Sequence, residues 1–212
     1  MEPKQRGAFI VIEGLDGAGT TTQCAAIAAR LRAEGRKVVI TREPSDGPVG
    51  TLIRQALVHR LRLPGGEPLT PATLALLFAA DRVDHVASEV DPALEAGAIV
   101  LSDRYLLSSL AYQGADLPLS WVAGINSRAR VPDLTLFLAV DTSLAEQRRG
   151  ERGGREELYE SREAQRKIAK AYRKAIKLRM GAGEKIVELD GSRPVAKITQ
   201  AALAHLRALR LA

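Results

Sequence analysis

A three-layer α/β fold, with five parallel strands covered by helices on both faces, is what these 212 residues predict, and three features predict it. Short β-branched runs recur along the chain, helical patterns separate them, and the first run passes through a glycine-rich loop straight into a helix. Strands that alternate with helices form parallel sheets, because each return to the sheet edge needs a crossover. Ligands of such sheets sit at the carboxyl ends of the strands.

Residues 8–12, Ala8-Phe9-Ile10-Val11-Ile12, form the first strand, and residues 21–31 carry an alanine-rich helical pattern ending near Gly35. Residues 37–41 form the second strand and residues 49–61 a helix. Thr70-Pro71 reads as an N-cap followed by proline in the first turn of a long helix reaching about residue 96. Residues 98–102 form the third strand, 108–114 and 120–129 short helices, and 134–140 the fourth strand. Ser143-Leu144-Ala145-Glu146 is a capping box that opens another helix. An Arg, Glu and Gly segment over 147–155 precedes a long charged amphipathic helix at 158–180. Residues 186–189 and 194–209 supply the last strand and helix. Without repeats or a linker, residues 1–212 are expected to form one domain.

The chain is 46% hydrophobic and 26% charged, which suits a globular protein with a sizeable core. No run approaches the roughly 18 apolar residues of a membrane span and residues 1–7 are polar, so a cytoplasmic protein is expected, without membrane partners. The single Cys24, among Ala25, Ala26 and Ile27, reads as a buried helix position. Arginine supplies 23 of the 31 cations behind the net charge of +6. Guanidinium forks grip phosphates at two points. Basic runs with interleaved aromatics are absent, so small phosphorylated ligands are favoured over nucleic acid.

Gly14-Leu15-Asp16-Gly17-Ala18-Gly19-Thr20-Thr21 follows the GxxxxGK[ST] pattern, in which backbone amides cradle phosphate at a helix N-terminus. The fold is therefore expected to be P-loop NTPase-like, with Gly14, Gly17, Ala18, Gly19, Thr20, Thr21 and Thr22 binding ATP and Thr21 holding Mg²⁺. Thr20 stands where the pattern has lysine. Losing one preorganised donor to a developing oxyanion costs about 3–4 kcal/mol, so a competent enzyme needs compensation. No lysine occurs between Lys37 and Lys167, so a substitute from that stretch must be arginine.

Thr41-Arg42-Glu43-Pro44 follows the second strand and Ser102-Asp103-Arg104-Tyr105 the third, putting charged pairs at the same sheet edge. Asp103 could hold metal-bound water and Arg104 a phosphate, or the two could pair with each other. Phe78 and Arg82, at i and i+4, share a helix face; they suit a nucleobase, or are a core phenylalanine with an exposed arginine. His59, His85 and His205 lack zinc spacing and read as surface or interface residues.

In order, the loop, the TREP segment, residues 77–82, SDRYLLSSLAYQG, residues 132–138 and residues 189–194 closely resemble thymidylate kinases over nearly the whole chain. The departure is Thr20. The resemblance implies ATP- and Mg²⁺-dependent phosphorylation of dTMP to dTDP by a homodimer. It implies that Phe78 stacks on thymine, Arg82 bonds its carbonyl edge, Arg42 and Arg104 hold the dTMP phosphate, and Asp16 touches the sugar hydroxyl. Glu43, Tyr105, Ser109, Tyr112 and Gln113 complete the substrate site, Tyr112 excluding a 2′-hydroxyl, and Asp103 assists at the metal.

Residues 147–158 fall where such kinases carry a lid, with four arginines within 148–155. The family places a catalytic arginine in the loop or in the lid; the loop position here is Gly17, so Arg152 or Arg155 is implied, with Arg104 beside them. Arg149 would pack on adenine, and Ser192 belongs to the adenine-side loop. Thr20 leaves open a nucleotide-binding pseudokinase, and the fold alone another nucleoside or nucleotide kinase.

Overall fold

The computed structural model describes residues 7–152, 158–159 and 161–209. Five strands, β1 (Ala8–Gly14), β2 (Val38–Arg42), β3 (Ile99–Asp103), β4 (Leu134–Ala139) and β5 (Ile186–Asp190), form one parallel sheet in the order β2-β3-β1-β4-β5. The predicted sheet is therefore observed, with β1 at its centre. The chain's next strand, β2, lies on one side of β1 and β4 on the other, which opens the sheet's ligand crevice at the end of β1.

Alternation along β1 builds two cores. Ala8, Ile10 and Ile12 face a cluster that includes Cys24, Ile27 and Leu31 of α1 (Thr20–Ala33) and Ile198, Ala202 and Leu206 of α9 (Val195–Ala208). Phe9 and Val11 face the opposite cluster, with Leu107 and Leu110 of α5 (Leu106–Tyr112) and Ala171, Tyr172 and Ala175 of α8 (Arg162–Gly181). Strands buried on both faces are apolar throughout, and all seven residues of β1 are buried. Burial raises the Cys24 thiol pKa, as suits a core position. No helix among the described residues is long and apolar enough to cross a membrane.

Element ends moved where local geometry, not composition, decides them. α2 (Pro48–Leu57) stops before residue 61, and His59 takes a left-handed φ of 59°. Thr70 caps α3 (Pro71–His85) as expected, its hydroxyl accepting from the Thr73 amide at 3.1 Å. The path towards residue 96 then passes through a π-turn, Val86–Val90, before α4 (Asp91–Glu95). α5 runs into a 3₁₀ turn at Gln113–Ala115, and α6 spans Leu119–Ile125. α7 (Thr142–Arg152) starts one residue before Ser143; the Asp141 carbonyl accepts the first helical bond from Ala145, so Ser143 is not the cap. The first part of the expected lid is thus helix. Ser161, whose hydroxyl accepts from the Ala164 amide, caps α8 later than expected.

Candidate active site

Gly17 and Gly19 take φ of +88° and +93°, a left-handed conformation natural to glycine, and so turn the chain from β1 into α1. No side chain caps α1 and no acidic residue lies in its first turn. The amides of Thr20, Thr21 and Thr22 therefore emerge without intrahelical acceptors at a positive helix end, which is an anion site. A Cβ on Gly19 would meet nothing within 4 Å among the described residues. A Cβ on Gly17 would strike the Ala145 carbonyl and come within 3.2 Å of Arg149 Cγ, so glycine there lets α7 lie against the loop. Thr20 is buried.

At the end of β3, Asp103 is in register with Ile12 of β1 and Arg42 of β2. The Thr21 hydroxyl donates to Asp103 Oδ2, while the buried Oδ1 has no hydrogen-bond partner among the described residues. A hydroxyl beside an orphaned carboxylate oxygen fits Mg²⁺, a hard cation that takes oxygen ligands.

Arg104 has φ 71°, a conformation costing a non-glycine residue on the order of 1–3 kcal/mol that persists only where surroundings dictate it. Its amide donates to Ile12 O at 2.9 Å, its guanidinium to Gly14 O at 2.9 Å and Asp16 Oδ1 at 2.7 Å, and it lies over the Tyr112 ring at 5.3 Å. Arg104 thus pairs with Asp16, not with Asp103.

From Arg104 a pocket runs along Tyr112, Ser109, Gln113, Tyr105 and Phe78 to Arg82 and Glu43. Arg82 is not the exposed arginine of the alternative reading. It is 1% exposed and donates to Glu43 Oε2 at 2.6 Å, to Ser109 Oγ at 2.8 Å and to Asn126 Oδ1, leaving its buried Nε without a partner among the described residues. Gln113 Oε1 is likewise buried and unpartnered. Burial raises the phenol pKa values of Tyr105 and Tyr112, keeping both neutral.

Other expected residues lie elsewhere. Arg42 bonds Asp46 Oδ1 at 2.5 Å with its side chain 59% exposed, and does not line the pocket. Its i+4 carboxylate draws it outward. Arg149 donates to Asp16 O at 2.7 Å, so it sits on the phosphate loop, and Arg148 reaches Gly191 O at 2.9 Å in the loop after β5. Ser192 is held in that loop by Asp190 Oδ1 at 2.5 Å. Arg152 ends α7, but its side chain and the whole of Arg155 lie outside the described residues.

Sequence reasoning missed Glu13, Gln165, Tyr159 and Tyr172. Glu13, fully buried, accepts from the Tyr105 amide at 2.9 Å, the Ser108 hydroxyl at 2.6 Å and the Tyr172 hydroxyl at 3.1 Å, so it ties the loop to α5 and α8. Gln165 Nε2 donates to Asp16 Oδ2 at 2.9 Å, and Tyr159 walls the pocket edge-on to Tyr112 at 5.4 Å. A carboxylate closing an apolar strand was the one available signal for Glu13.

Burial raises Glu13 above its ordinary 4.5, against the lowering effect of Ser108, Arg104 and Tyr105. A raised folded pKa gives stability that is complete below the unfolded value and lost as pH rises through the folded one. Relative to Glu13→Gln, the wild-type Tm is therefore expected to gain as pH falls towards the ordinary carboxylate range. Thermal scans showing a pH-independent difference would contradict this.

The family model for thymidylate kinase matches residues 12–202. The chain is 44% identical over 170 residues to a probable thymidylate kinase of Pyrococcus abyssi, covering 80% of this chain and 82% of that one. It is 47% identical over 146 residues to a thymidylate kinase of Thermomicrobium roseum, covering 66% and 67%. To a thymidylate kinase of Leifsonia xyli subsp. xyli it is 41% identical over 202 residues, covering 91% and 90%.

Proposed function

Because the chain belongs to the thymidylate kinase family, we propose that it transfers the γ-phosphoryl group of ATP to dTMP, yielding dTDP and ADP for dTTP synthesis in the cytoplasm. The observation that carries this is continuity. One pocket links the buried Arg82 to Arg104 and Asp16 at the rim of the phosphate loop, so a bound mononucleotide has its phosphate beside the donor's.

Thymine lies against Phe78, with Arg82 and the Gln113 oxygen, unpartnered among the described residues, offering a donor and an acceptor to its edge. Tyr112 and Asp16 meet the sugar, and Arg104 holds the acceptor phosphate. Arg42 joins it by leaving Asp46, an exposed pairing worth little. The loop amides hold the donor's phosphates, and Arg148 with Ser192 borders the adenine. Thr21 and Asp103 would hold Mg²⁺, which would supply positive charge against the donor's phosphates. Arginines from α7 and the residues after it, with Arg152 and Arg155 as catalytic candidates, replace the charge that Thr20 lacks.

A coupled ADP-release assay across nucleoside monophosphates tests this. Turnover should be far fastest with dTMP; equal rates, none, or dUMP or thymidine ahead would overturn it.

Leu76 and Val83, each 51% exposed and seven residues apart on α3, share one face, with Leu52 of α2 also exposed. This apolar stripe supports a homodimer. Sedimentation equilibrium should return twice the chain mass, and Val83→Glu should return one.

A further inference from the structure

His85, expected at the surface or at an interface, is fully buried at the end of α3, with both ring nitrogens engaged. Nε2 lies 2.6 Å from Thr41 Oγ1 and Nδ1 lies 3.2 Å from Glu43 Oε1. Thr41 Oγ1 also donates to Glu89 Oε2 at 2.9 Å. A carboxylate only accepts, so the contact to Glu43 asks the ring to donate from Nδ1. His85 thus gathers Thr41 of β2, Glu43 just beyond it and Glu89, 3.8 Å away on the π-turn. Such turns shift side chains out of regular helical register and recur at functional sites.

Glu43 is the hinge of this cluster. Its Oε1 faces His85 while its Oε2 receives Arg82 at 2.6 Å. Asp81, beside Arg82 in sequence, is taken by the Ser45 amide at 2.8 Å and the Ser45 hydroxyl at 2.6 Å. Arg82 is therefore oriented by Glu43, together with Ser109, Asn126 and the Tyr105 carbonyl at 3.2 Å.

We propose that His85 is a positioning residue for pyrimidine recognition, which clamps Glu43 and through it fixes the Arg82 guanidinium on the pocket floor. His85 does not line the pocket, so it acts only through Glu43. The inference rests on the reading of this pocket as the acceptor-nucleotide site.

Asparagine presents its amide nitrogen where Nδ1 stands, and glutamine where Nε2 stands. Calorimetric titration with dTMP, dUMP and dCMP should show that His85→Gln weakens binding of the nucleotide the wild-type chain prefers about tenfold, while His85→Asn stays within about threefold. A residue that merely fills space would favour the larger glutamine. In turnover assays, His85→Gln should raise KM for that nucleotide and leave kcat and KM for ATP within about twofold. On a Glu43→Gln background His85→Gln should cost less than about twofold more, because the clamp has lost its target. Equal losses from Asn and Gln, or a full additive loss on Glu43→Gln, would overturn the proposal. If His85→Gln does not fold, Thr41→Val, which removes only the hydroxyl at Nε2, carries the test: about threefold weaker binding supports the clamp and wild-type binding overturns it. If the preferred nucleotide is not dTMP, the functional reading fails, yet the contrast between Asn and Gln is still read.

Discussion

Asp103→Asn should lower kcat by about two to three orders of magnitude while leaving dTMP affinity within about threefold. The substitution keeps the side chain's size and an oxygen able to accept from Thr21, so the contact at the start of α1 survives. What changes is the second position. Oδ1 is buried and has no hydrogen-bond partner among the described residues, and an amide there would place hydrogens against a bound Mg²⁺ or its waters. The loss falls on kcat because the charge on the transferring phosphoryl group is offset most in the transition state. Pre-steady-state ADP release measured against Mg²⁺ concentration should show a raised Mg²⁺ requirement as well. A kcat within tenfold of wild type would show that Asp103 only braces Thr21.

The elements that reach this site were legible in the sequence because each rests on a local rule. A strand buried on both faces reads as an unbroken apolar run, as residues 8–12 do, and a loop that must turn left-handed carries glycine, as at Gly17 and Gly19. Phe78 and Arg82 were legible because helical spacing alone puts them on one face, and both line the pocket. What was not legible has a common cause too. Asp141, Thr142 and Ser143 are consecutive capping residues, so composition offered no means of choosing the cap of α7. Arg42 and Arg149 were assigned by position, yet guanidinium direction is set by the nearest acceptors, Asp46 and the Asp16 carbonyl. Glu13 and His85 are defined by partners far away in the chain: Tyr172 lies 159 residues from Glu13 and Glu43 lies 42 from His85. No spacing rule spans such distances.

The second large effect concerns the charge absent at Thr20. Arg149 seats its guanidinium on the Asp16 carbonyl, and the missing Cβ of Gly17 is what allows α7 to bring it there. Arg149→Ala should therefore lower kcat about 30- to 100-fold, somewhat below the roughly 3–4 kcal/mol of a whole oxyanion donor, because Arg152 and Arg155 share the task. The informative variant is the pair. Thr20→Lys alone should leave kcat within about threefold, but on the Arg149→Ala background it should restore most of the lost rate, since the lysine then supplies the cation from inside the loop. A lysine stem packs along apolar surface while its ammonium reaches out, so burial of Thr20 does not bar the exchange. Arg149 acting only as a brace between α7 and the loop predicts the opposite, because a lysine at position 20 replaces no contact to the Asp16 carbonyl. Single-turnover rates of the four chains decide between charge and brace: recovery on the double variant assigns Arg149 the lysine's electrostatic role, and an unrecovered double variant leaves the loop's charge to Arg152 and Arg155.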